Sequence, residues 1–98
     1  MVLDDLLSTL TPDAAALVRS VRARAGLPER FDARKGELIF IAGGVDVGRL
    51  QLRAGALPRL FLGDASEEIA GLQAAQTAAE KLRALASRVP QLDLFRSK

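Results

Sequence analysis

The segment Leu38-Ile39-Phe40-Ile41-Ala42-Gly43-Gly44-Val45 constrains this chain more than any other stretch. A β-branched and aromatic run of this length reads as a buried strand. Two adjacent glycines directly after it supply the positive φ values that a two-residue hairpin turn needs. The chain must therefore reverse at Gly43-Gly44, with Val45 to Arg53 as the return strand. The apolar parity of that strand changes partway, since Val45 and Val47 share one face and Leu50 and Leu52 the other. A bulge at Gly48 would reconcile the two halves. After a turn at Ala54-Gly55-Ala56, Leu57 to Leu62 makes a third strand, which completes an antiparallel meander.

Helices flank the meander. Thr11-Pro12-Asp13 is a helix start: a capping hydroxyl, a proline in the first turn and an acid at the positive dipole end. Leu17, Val18, Val21 and Ala25 then share one face, and Gly26 with Pro28 closes the segment. Residues 2–10 read as a shorter helical turn before it. Asp64 with Glu67 has the form of a capping box, so the spacing predicts a helix from there to about Arg88, stopped by Pro90. The plan is a small single α+β domain over residues 1–89, in the order α-β-β-β-α, followed by a flexible C-terminal tail over residues 90–98. The same order occurs in double-stranded-RNA-binding domains. Those grip phosphates with basic residues at the start of the last helix, where this chain has Asp64, Glu67 and Glu68.

Composition narrows the function classes. The 98 residues suffice for one domain, and 49% apolar content is too high for a disordered chain. With no cysteine there is no disulfide, no thiolate nucleophile and no Cys-based metal site. With no histidine there is no ready proton shuttle near neutral pH. The acidic opening Met-Val-Leu-Asp-Asp is unlike a secretory signal, and no apolar run reaches membrane-spanning length, so the expected setting is the cytoplasm.

Candidate chemistry in the domain is sparse. Gly43 to Gly48 lacks the Lys-Ser/Thr ending of a phosphate loop. Asp32, Glu37, Asp46 and Asp64 are the carboxylates a magnesium site would draw on, but no spacing forces any two together. The reading is a non-enzyme with no catalytic residue, no metal and no cofactor. Arg49, Gln51 and Arg53 alternate along one strand, and Arg19 and Arg22 add a helical edge. These arginines are the candidate nucleic-acid contact, of the phosphate-gripping and sequence-indifferent kind. In the last helix Leu72, Ala75, Ala79, Leu82 and Ala86 recur in steps of three and four, a seam suited to packing or to pairing two chains.

The tail carries the sharpest signal. Gln91-Leu92-Asp93-Leu94-Phe95 resembles, at all five positions, the Q-L-(S/D)-L-F peptide by which bacterial proteins dock on the DNA polymerase sliding clamp. Core packing has no need of Gln91 or Asp93, and Arg96, Ser97 and Lys98 keep the end polar. The resemblance implies peptide-in-groove recognition. Leu94 and Phe95 would fill an apolar pocket, Leu92 would pack beside them, Gln91 would donate and accept at the entrance, and Asp93 would face the rim. It implies a clamp-bound accessory or regulator in replication or repair, with DNA as a weak second partner. A homodimer with two tails would gain by effective concentration. Two other readings stay open: a dimerisation or scaffold domain whose tail packs internally, and a small basic domain that binds nucleic acid directly.

Overall fold

The computed structural model describes residues 2–89. Two helices come first, α1 (Leu3–Leu7) and α2 (Pro12–Ala25), then β1 (Glu29–Asp32), β2 (Glu37–Ala42), β3 (Val45–Gln51), β4 (Arg59–Leu62), β5 (Ala65–Glu68) and finally α3 (Leu72–Arg88). The strands form one antiparallel sheet in the order β1-β2-β3-β4-β5. The meander therefore has five strands rather than three.

Local chemistry explains most of the boundaries. The Thr11 hydroxyl accepts from the Ala14 N–H at 3.2 Å to start α2, and Gly26 ends it in the left-handed conformation. Gly43 and Gly44 both take positive φ, 58° and 79°, as a type I′ hairpin requires. In the β1–β2 loop the Asp32 carboxylate accepts from the N–H groups of Arg34 and Lys35.

The start of α3 differs from the sequence expectation. Asp64 caps nothing there: residues 65–68 pair with β4 as an edge strand, and the helix begins seven residues later, with Gly71 as its N-cap. Local capping chemistry lost to strand pairing and to burial of Ile69, which is 0% exposed and donates its N–H to the Pro58 carbonyl at 2.8 Å. Glu67 instead accepts from the Lys81 ammonium at 2.7 Å, tying β5 to α3. Glu67 and Glu68 thus lie on a strand, so they do not mark a helix start of the RNA-binding kind.

The core lies between the sheet's inner face and the helices. Leu38, Phe40, Leu50 and Leu60 point inward and are buried, with Val18 and Val21 of α2 and Leu82 of α3 above them. Small side chains at Ala75, Ala78 and Ala79 let α2 and α3 approach closely. A bulge falls where the parity of β3 changes: Phe40 pairs with Gly48, Ile41 pairs with Asp46, and Val47 is the extra residue. Gly48 is needed for packing. A Cβ built there would stand 2.6 Å from Leu82 Cδ2 and 2.7 Å from Leu62 Cδ2.

Gly48→Ala should therefore destabilise the fold by about 1–3 kcal/mol through overpacking. Gly71→Ser, in open space at an extended backbone position, should change stability by less than about 0.5 kcal/mol. Urea unfolding of both variants checks the contrast.

Candidate functional site

The clamp-like peptide Gln91–Phe95 lies outside the described residues. The point from which it departs does not. α3 stops at Arg88, and Val89 takes an extended conformation with φ −73° and ψ 127°. A proline at position 90 disfavours helical geometry in the residue before it, so the helix ends on a local steric rule.

The candidate nucleic-acid residues do not form one patch. Arg19 is exposed on α2, whereas Arg22 is committed to the fold. Its Nε and Nη2 donate to the Glu29 carboxylate at 2.8–3.1 Å, joining α2 to β1 across a half-buried contact. That hydrogen bonding raises the Arg22 guanidinium above its ordinary range, despite the opposing effect of burial. A cation with a raised pKa contributes stability at every pH below its unfolded value, and loses it only as the pH climbs through the folded one. The Arg22 guanidinium is therefore fully charged throughout the neutral range.

Arg49 is on the other side of the molecule. It pairs with Ile39 and Phe61 on the outer face of the sheet, away from the helices. Its guanidinium sits 5.3 Å above the Phe61 ring centroid, and its Nε is 3.7 Å from Glu37. Gln51 shares this face, but Arg53 lies beyond the end of β3 and is exposed in the following loop. Arg19 and Arg22 thus belong to the helical layer, and Arg49 to the opposite surface.

The proposed pairing seam is also redistributed. Ala75, Ala79 and Leu82 are buried within the chain's own core, at 0–1% exposure, and Ala86 is half-buried. Only Leu72 is open, at 62%. At Ala75, Ala79 and Leu82 the stepwise apolar pattern on α3 serves intramolecular packing against α2 and the sheet, so these three positions are not open to a second chain.

Three of the four carboxylates have structural partners. Asp32 orders its loop, Glu37 is buried beside Arg49, Asp46 meets Arg30 at 3.5 Å, and Asp64 is exposed in the β4–β5 turn. Asp32, Glu37 and Asp46 do line a common concavity of about 340 Å³ on the outer face, floored by Ile39 and Phe61. Arg30, Lys35 and Arg49 line it too, so the acids are interleaved with cations. Among the described residues no group of three or more acids is arranged to hold a metal ion. No described helix is long and apolar enough to cross a membrane.

Sequence reasoning passed over Arg30, Ile39, Arg59 and Phe61, which share the outer face with Arg49. Their common placement follows from strand register, which becomes legible only when β1 is known to pair with β2. In comparisons with known proteins, no family model, curated protein or solved structure matches the chain.

Arg22→Met should cost about 1–2 kcal/mol, because it strands the half-buried Glu29 carboxylate. Arg19→Met, on an exposed turn of the same helix, should stay within about 0.5 kcal/mol of the parent. Thermal and denaturant unfolding near neutral pH measure both.

Proposed function

We propose that this protein binds the bacterial DNA sliding clamp through Gln91-Leu92-Asp93-Leu94-Phe95, and acts as an accessory or regulatory factor in replication or repair. The observation that carries this reading is the five-position match of the peptide, including the polar positions Gln91 and Asp93. α3 ends at Arg88, before the motif begins.

The chemistry is that of a short peptide entering a preformed apolar pocket. Leu94 and Phe95 are the anchors, Leu92 adds apolar contact, and Gln91 fixes the orientation through its amide. Two or three anchors, less the ordering of the peptide, correspond to a micromolar interaction of about 8 kcal/mol. Such an affinity suits a factor that exchanges with other clients of the clamp. The domain supplies bulk and a second surface, and no catalytic step is assigned to it.

Titration of purified bacterial clamp against the full chain and against Leu94→Ala/Phe95→Ala, by calorimetry or fluorescence anisotropy, tests the proposal. Micromolar binding by the parent, weakened at least roughly a hundredfold in the double variant, is expected from the loss of two buried anchors. Equal binding by both, or binding by neither, would sink it.

A further inference from the structure

The outer face of the sheet is a surface that clamp recognition leaves unused. Strand register arranges it in two adjacent rows. Arg30, Ile39, Arg49, Phe61 and Ser66 form the first, and Asp32, Glu37, Gln51, Arg59 and Glu68 the second. The first row carries two arginines and no acid, the second three acids and one arginine. Arg30, Arg49, Arg59, Ser66 and Glu68 are exposed, over an apolar floor of buried Ile39 and half-buried Phe61. The ion pairs within the chain satisfy these charges only loosely. Arg30 to Asp46 is 3.5 Å and Arg49 to Glu37 is 3.7 Å, against 2.8 Å for Arg22 to Glu29.

We propose that a second copy of this chain docks on this face, forming a face-to-face dimer. Its two-fold axis runs parallel to the two rows and between them. A symmetric pair must present the same patch from both sides, so the patch has to be self-complementary. With this axis the arginine-bearing row of each copy lies over the acid-bearing row of the other. Arg30 then faces Asp32 of the second copy, Ile39 faces the buried Glu37, Arg49 faces Gln51, Phe61 faces Arg59, and Ser66 faces Glu68, so Arg30 to Asp32 is the ion pair made twice across the axis. An axis parallel to the strands would instead set Asp32 against Glu68, two like charges. Five strands of about four residues cover roughly 24 Å by 13 Å, or about 300 Å², less than the roughly 800 Å² per partner of a standard interface. The dimer is accordingly weak, and it forms and dissociates with concentration.

The inference does not depend on clamp binding. Sedimentation velocity of the full chain over a wide concentration range should show a monomer–dimer equilibrium that weakens as ionic strength rises. Arg30→Glu should weaken it roughly tenfold or more, since it opposes a carboxylate to Asp32 of the second copy at two symmetric places. Adding Asp32→Asn, which keeps the oxygen that accepts from the Arg34 and Lys35 N–H groups, should restore most of the loss. Ser66→Glu, on the opposite edge strand, should weaken the dimer independently by placing a second acid against Glu68. Leu94→Ala/Phe95→Ala should leave it unchanged. A strict monomer at every concentration would overturn the proposal. So would a dimer indifferent to both Arg30→Glu and Ser66→Glu, or one abolished by the tail variant.

Discussion

The rest of the structure depends on a missing side chain. Gly48 stands in β3 beneath Leu82 of α3, and the space a Cβ would fill is occupied by Leu82 and Leu62. That contact lets α3 lie directly on the middle of the sheet, and α2 in turn packs on α3. The bulge beside Gly48 resets the alternation of β3, so that Leu50 faces the core and Arg49 faces outward. One glycine thus serves the helix contact and sits at the bulge that sets the register of the outer face.

This arrangement decides which surfaces remain for partners. Because Ala75, Ala79 and Leu82 are spent on the core, these positions of α3 are not open to a second chain. Because Arg22 is locked to Glu29, and Arg19 and Arg49 lie on opposite sides, the arginines singled out from the sequence do not form one patch. What is left among the described residues is an outer face whose charges lie in two rows. The two proposals use different parts of the chain: the sheet face for a second copy, and Gln91–Phe95 for the sliding clamp.

Much of the fold was legible in the sequence where local rules act alone. Thr11-Pro12 and Gly26 bracket α2, Gly43-Gly44 makes the hairpin, and the parity break in β3 marks a bulge. The edge strands were not legible. Glu29-Arg30-Phe31-Asp32 and Ala65-Ser66-Glu67-Glu68 carry too few apolar residues to announce themselves, and they exist because neighbouring strands offer unpaired main-chain groups. The same pairing overrode the capping box at Asp64 and Glu67. On the site side, the resemblance of Gln91–Phe95 to clamp-binding peptides rests on a purely local pattern. The outer-face rows depend on register between distant strands, which no local pattern encodes.

Clamp recognition is tested most directly by residue-resolved amide NMR of the full chain, recorded with and without the purified clamp. Binding through the peptide predicts shifts and broadening concentrated at residues 91–95, with the core amides of Leu50, Leu60 and Leu82 unmoved. Changes centred on the folded domain, with residues 91–95 unaffected, would contradict it.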